Sequence, residues 1–143
     1  MSDGLTNKEE IFKHQQDYVE RNMQITKFTS EELDVINVYR SSNGHSVELL
    51  NHLQDMITEG KPLLITGDFN ICFQTISNNR MSKGLEKIGF CQLVKEATHI
   101  RGGHIDHAYW RDEKDVWKSP DLQRYSPYHS DHDATCITLV KKE

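Results

Sequence analysis

The segment Leu63–Asn70 (LLITGDFN) constrains the fold of this chain more than any other part of the sequence. Its first four residues form a short, continuous apolar run, which predicts a strand buried within a sheet. Asp68 and Asn70 follow at the carboxyl end of that strand, the edge at which ligands bind in α/β sheets. Because Gly67 lets the backbone turn, we expect both polar side chains to face one pocket, where their oxygen atoms suit Mg²⁺ better than zinc. The alternative interpretation is an Asx turn that ends the strand without a ligand.

Hydrophobic spacing predicts the elements around this strand. A capping-box sequence at Thr6–Glu9, followed by apolar residues at helical spacing, predicts a helix near residues 7–20. Similar patterns predict strands over 23–28, 33–39, 90–94, 105–110 and 132–140, and helices over 47–57 and 81–88. The resulting fold class is α/β (α+β type), with a mixed β-sheet flanked by helices and preceded by an N-terminal helix.

Length, charge and cysteine content exclude several classes of protein. The 143 residues are enough for one domain, and the net charge of −5 excludes a uniformly basic, nonspecific nucleic-acid binder. No apolar stretch is long enough for a transmembrane helix and no signal peptide is recognisable, so we expect an intracellular protein, nuclear or cytoplasmic, with no membrane partner. The cysteines Cys72, Cys91 and Cys136 lack the spacing of a disulfide framework or a zinc module.

Two further polar motifs lie at predicted strand starts. Ser130–Asp133 (SDHD) opens the last strand, where Asp131 could hold a cation while His132 accepts a proton near neutral pH. In His104–His107 (HIDH), Asp106 could hydrogen-bond His132 from a neighbouring strand and orient its ring. For each motif the alternative is an ordinary solvated strand end.

Taken together in this order, the three motifs resemble the exonuclease–endonuclease–phosphatase, or DNase I-like, superfamily. The resemblance runs from about Met23 to Val140. Two phrases, Ile36–Asn43 (INVYRSSN) and Thr98–His107 (THIRGGHIDH), are most similar to endonuclease domains of non-long-terminal-repeat retrotransposons. The resemblance therefore implies a phosphodiester hydrolase that uses Mg²⁺ or Mn²⁺, with DNA as its substrate.

The resemblance also implies a role for each motif residue. Asp68 is similar to the carboxylate that positions the attacking water and, with Asp131, approaches the metal. Asn70 corresponds to the side chain that holds the scissile phosphate, and His132 to the catalytic histidine with Asp106 as its orienting partner. Tyr39 corresponds to a tyrosine that reaches toward the phosphate. In the endonuclease interpretation, the backbone of the nucleic acid could also be met by local cations, Arg40, Arg80, Lys83 and Arg101; the alternative for each is a solvated surface cation.

The chain departs from the superfamily pattern in two ways. Many members follow the tyrosine with Pro-Asn, whereas Arg40–Asn43 (RSSN) follows Tyr39 here. The early asparagine and glutamate motifs of the first half of the domain have no counterpart before Met23. We therefore expect an N-terminal helical segment at 1–22 and the C-terminal half of a DNase I-like sandwich at 23–143, a truncated domain.

Loss of half the sandwich has a physical consequence. The inner face of the remaining sheet would lack its partner sheet, so it must be exposed, covered by the N-terminal helix or buried by self-association. A non-catalytic remnant that keeps the half-fold without turnover is thus the alternative function. A third alternative is a zinc module built from His99, His104, His107 and His129, although these residues follow no recognised ligand spacing.

Overall fold

The computed structural model describes residues 14–20, 22–41, 46–69, 80–93, 106–125 and 134–143. Six strands form one sheet in the order β1-β2-β3-β4-β6-β5, and two more form a separate ladder, β7-β8. The strands are β1 His14–Glu20, β2 Met23–Thr29, β3 Asp34–Arg40, β4 Leu63–Asp68, β5 Cys91–Gln92, β6 Asp106–Arg111, β7 Asp121–Tyr125 and β8 Ala134–Thr138. The helices are α1 Ser46–Met56 and α2 Arg80–Lys87.

The directions of the central strands bring three strand ends to one edge. β3 and β4 are parallel and are connected through α1, whereas β6 runs antiparallel to β4. The carboxyl ends of β3 and β4 and the first residue of β6 therefore lie together. We call this end of the sheet the Asp68 edge, and the other end, at Asp34, Leu63 and Arg111, the opposite edge.

One face of the sheet packs against both helices and forms the core. Alternate residues of β3 point to this face, which explains why Ile36 and Val38 are buried while Asn37 is exposed. The largest fully buried core side chains are Ile25, Ile36, Leu49, Leu53, Leu63, Ile65, Phe69, Leu85 and Tyr109. Burial of this apolar surface is the main source of stability for the described part of the chain.

The other face of the sheet is covered over β4 and β6 and open over β1 and β3. Leu64, Ala108 and Trp110 are buried on it, whereas Val19 is 68% exposed and Asn37 is also exposed. The apolar part of this face is therefore covered, and its open part is mostly polar. Self-association through the open part stays a prediction.

An ion-pair cluster closes the opposite edge. The buried carboxylate of Asp34 lies 2.7 Å from Nζ of Lys61 and 3.7 Å from Nζ of Lys27. Lys27 also donates to the carbonyl oxygen of Met56 at 2.6 Å, which ties the end of α1 to β2. The cluster therefore joins the β2-β3 hairpin to the end of α1 and to the segment before β4.

The C-terminal ladder is attached at the same opposite edge. The backbone N–H of Trp117 donates to Oδ2 of Asp112, just after the end of β6, and Trp117 forms an isolated bridge with Lys141. Lys141 also pairs with Glu32 in the β2-β3 turn. The segment that follows β8 is thus tied to the opposite edge.

The structure confirms most of the predicted elements, including the 23–29 and 34–40 hairpin and both central helices. The N-terminal helix is wrong for residues 14–20, which form β1; the rest of that prediction lies outside the described residues. β1 satisfies its backbone by pairing with β2 through a two-residue connection, and Tyr18 and Val19 then lie on opposite faces. The sequence patterns also missed β7. Among the described residues, no helix has the length and apolar character needed to cross a membrane.

Candidate functional site

Strand pairing places three of the predicted site residues in one row. Tyr39 of β3 pairs with Asp68 of β4, and Asp68 in turn pairs with Asp106 of β6. Because neighbouring strands lie about 4.8 Å apart, the backbones of these residues span about 10 Å along the Asp68 edge. For Asp106 the structure describes the backbone position only.

Tyr39 and Asp68 lie on the sheet face that points away from the helices. In β3 the buried positions are Asp34, Ile36, Val38 and Arg40, so Tyr39 points to the opposite face, where it is 52% exposed. Asp68 pairs with Tyr39 and is half-buried. A phenol and a carboxylate thus stand on adjacent strands at an accessible edge, where they can contact a bound substrate.

The row depends on a close approach at Gly67. This residue has a φ of +143°, and a Cβ built on it would lie 1.9 Å from the carbonyl oxygen of Val38. Only glycine fits against the β3 backbone at that distance. Gly67 lies inside β4, so the expected turn at Gly67 is wrong. The role of this glycine is to let β3 and β4 approach closely next to Asp68.

Arg40 lies on the helix-facing side of the sheet. Its side chain is 8% exposed, and Nε donates a hydrogen bond to the carbonyl oxygen of Phe69 at 2.8 Å. Burial lowers the pKa of the Arg40 guanidinium from its ordinary value, and the negative charge of Asp68 acts in the opposite direction. Arg40 is therefore an internal group next to the site, whereas the sequence analysis expected a cation that meets substrate.

Aromatic packing under the row involves residues that the sequence analysis did not assign to this site. The ring of Phe69 stacks on His107 with centroids 5.0 Å apart and meets Tyr109 edge-on at 5.6 Å. Nδ1 of His107 lies 2.9 Å from the hydroxyl of Tyr109. The alternation of His107 and Tyr109 in β6 placed both on one face, which is the signal that could have found this cluster.

Most of the remaining predicted site residues are not placed by the structure. Asn70, Arg101, Asp131 and His132 lie outside the described residues, as do His99, His104 and His129 of the zinc alternative. Lys83 is exposed on α2, and Arg80 begins that helix. The roles assigned to these residues stay predictions.

The donor atoms of the Asp68 edge suit a hard cation. Asp68 supplies the only carboxylate among the described side chains of the row, and oxygen ligands of this kind favour Mg²⁺ or Mn²⁺ over zinc. Within the described ranges, no three His, Cys, Asp or Glu side chains come together as a metal-binding group. Among the described residues of this edge, Asp68 is therefore the candidate ligand for a divalent cation.

Comparison with known proteins identifies the fold. No family model and no curated protein matches this sequence. Among solved structures, the endonuclease domain of TRAS1, a telomere-specific non-LTR retrotransposon, is similar over 90% of this chain and 67% of that chain, with a TM-score of 0.59 and 13% identity. The cytolethal distending toxin of Actinobacillus actinomycetemcomitans matches over 91% of this chain and 59% of that chain, with a TM-score of 0.63 and 15% identity.

A third similar structure carries the name of the superfamily. It is an endonuclease/exonuclease/phosphatase family protein from Bacteroides thetaiotaomicron, with a TM-score of 0.60, 14% identity and coverage of 92% of this chain and 64% of that chain. The chain therefore has a partial DNase I-like fold, the fold of endonuclease/exonuclease/phosphatase proteins. It spans 59–67% of the length of these three structures.

Proposed function

We propose that this chain is the C-terminal part of a divalent-metal-dependent phosphodiester hydrolase, a DNA endonuclease of the retrotransposon type. The observation that carries the proposal is the row of Tyr39, Asp68 and Asp106 at one sheet edge. Three polar residues from strands distant in sequence meet there, as a ligand site at the edge of an α/β sheet requires. Similarity to nuclease and phosphatase folds supports the same reaction class.

Each residue of the site has a chemical role in this proposal. Asp68 positions the attacking water, while Asn70 and the phenol of Tyr39 donate hydrogen bonds to the phosphate oxygens. His132 accepts the proton from that water, and Asp106 orients the imidazole ring of His132. Asp68 and Asp131 would hold Mg²⁺ or Mn²⁺, which when bound neutralises charge that develops on the phosphate.

The attachment of β8 supports the place of His132 in this scheme. The chain enters β8 two residues after His132, and the segment after β8 is tied to the opposite edge through Lys141 and Glu32. β8 is an extended strand, so its first residue lies at the end away from this tie, and we propose that His132 reaches the Asp68 edge from there.

The test is nicking of supercoiled plasmid DNA by the purified chain in the presence of Mg²⁺ or Mn²⁺. The wild-type chain should convert supercoiled plasmid to the open circular form, and Asp68→Asn should abolish this conversion. Glu32→Gln is a matched control, because it makes the same carboxylate-to-amide change at the opposite edge. Nicking that survives Asp68→Asn would contradict the proposed site.

The non-catalytic remnant is the second candidate, and the partial coverage of the similar structures favours it. The same preparation separates the two functions if Mn²⁺ binding is measured by calorimetry alongside nicking. Binding that requires Asp68 without any nicking would indicate the remnant. Nicking that requires Asp68 would indicate the enzyme.

A further inference from the structure

The end of β3 carries a buried arginine whose hydrogen bond crosses to the chain that leaves β4. Nε of Arg40 donates to the carbonyl oxygen of Phe69 at 2.8 Å, and the side chain is almost entirely buried. A cation that meets nucleic-acid phosphate keeps its charged head accessible from solvent, even where its aliphatic stem is packed on the protein. The contacts of Arg40 therefore point to a role within the protein.

The carbonyl held by Arg40 belongs to the peptide unit that joins Phe69 to Asn70. A peptide unit is planar, so a hydrogen bond that fixes its oxygen also fixes the direction in which the chain leaves Phe69. The ring of Phe69 is held separately by His107 and Tyr109, and it is fully buried. The backbone and the side chain of Phe69 thus have independent supports.

Phe69 lies between the two polar residues of the strand-end motif. Asp68 precedes it and pairs with Tyr39 and Asp106, while Asn70 follows the peptide that Arg40 holds. Without this hydrogen bond, the Phe69 carbonyl would lose its charged donor inside the protein. Rotation of the peptide toward another donor would change the direction in which the chain leaves Asp68.

We propose that Arg40 is a positioning residue, which fixes the peptide carbonyl of Phe69 and so the direction in which the chain leaves Asp68 at the end of β4. Its effect on turnover rests on the proposed function, because only a hydrolase has turnover to lose. Its effect on the Phe69 backbone is independent of that function. The two consequences are therefore measured separately.

Two substitutions of equal length isolate the hydrogen bond. In Arg40→Gln, the amide Nε2 occupies the position of the arginine Nε and keeps a donor, but the positive charge is lost. Arg40→Met has the same length and no donor. The two variants thus share the loss of charge and differ in the hydrogen bond.

Arg111→Met is the matched control for loss of a buried arginine. Arg111 is 5% exposed, and its Nη1 donates to the carbonyl oxygen of Ile88 at 3.1 Å, at the opposite edge of the same sheet. We expect this variant to lose stability, as Arg40→Met does. It should leave the Phe69 and Asn70 signals unchanged.

The first measurement is the NMR spectrum of each folded variant. The carbonyl ¹³C signal of Phe69 and the amide ¹⁵N signal of Asn70 should shift in Arg40→Met and stay close to wild type in Arg40→Gln. If Arg40→Met does not fold, the comparison of wild type with Arg40→Gln still decides the question. Displaced signals in a folded Arg40→Gln variant, or unchanged signals in Arg40→Met, would overturn the proposal.

The second measurement is the steady-state cleavage of plasmid DNA with Mg²⁺. A changed chain direction after Asp68 should lower kcat of Arg40→Met by about 10- to 100-fold with little change in KM, and Arg40→Gln should restore most of kcat. If Arg40 instead contacts phosphate, both variants should raise KM equally and weaken the salt dependence of binding. A wild-type chain without turnover would contradict the proposed function, while the NMR result would still decide the role of Arg40.

Discussion

The backbone of Val38 approaches Gly67 so closely that any side chain at position 67 would collide with it. A Cβ there would lie 1.9 Å from the carbonyl oxygen and 2.7 Å from the backbone nitrogen of Val38. This contact lies one residue before the Tyr39–Asp68 pair. The geometry of the proposed site therefore depends on a glycine that performs no chemistry.

Gly67→Ala should destabilise the chain by more than about 2 kcal/mol, because the methyl group must separate β3 from β4 as well as occupy a glycine-only backbone conformation. Gly60→Ala is the control: Gly60 also has a positive φ of 73°, but its nearest neighbours are side-chain atoms of Lys114 at 3.8 Å. That change should cost only about 1–2 kcal/mol. Urea denaturation measures the free energy of unfolding of both variants. Equal losses of this free energy would show that the close approach of Val38 adds nothing to the cost of a side chain at position 67.

The Asp34 ion pairs predict a second stability difference. Asp34→Asn leaves Lys27 and Lys61 beside a neutral amide, and loss of one partner of a buried pair costs about 3–5 kcal/mol. The loss should fall at the low end of that range, since both lysine side chains keep partial access to water. Glu32→Gln breaks only the exposed pair with Lys141 and should cost at most about 1 kcal/mol. Thermal unfolding of the two variants compares them directly.

The site itself could be predicted only in part from the sequence. The apolar run before Asp68 identified β4, and the hairpin that ends in Tyr39 was evident from β-branched alternation. Parallel pairing of β3 with β4 then brings Tyr39 and Asp68 together. The two positions were predictable because each lies near the carboxyl end of a strand whose pattern is local.

Two features depended on contacts that no local pattern records. Tyr18 and Val19 continue the helical spacing of the apolar residues before them, which favoured a helix. Pairing with β2 instead makes residues 14–20 a strand. The sequence predicted Arg40 as one of the cations that could meet nucleic acid. Its burial follows from strand alternation, which turns it toward the helices and Phe69.

The open sheet face over β1 and β3 leads us to expect self-association of the chain through that face. Val19 is the most exposed of the large apolar residues that the structure describes, and it lies in the same row as Gln24 and Tyr39. Val19→Lys should therefore shift the sedimentation profile toward monomer. Val140→Lys, which alters an exposed apolar residue near the C-terminus, should leave the profile unchanged. A wild-type chain that is monomeric at all concentrations would contradict this prediction.

The proposed proton-transfer pair predicts strong coupling between two substitutions. His132→Ala should lower turnover by about 10²–10⁴-fold through loss of the general base, and Asp106→Asn should also lower it strongly, because the imidazole loses its orienting carboxylate. The double variant should be little slower than His132→Ala alone, because Asp106 acts only through His132. Single-turnover nicking of supercoiled DNA with Mg²⁺ measures all three rates, in this chain or in a longer protein that contains it. Additive losses would show that Asp106 acts independently of His132, and full activity of His132→Ala would reject His132 as the base.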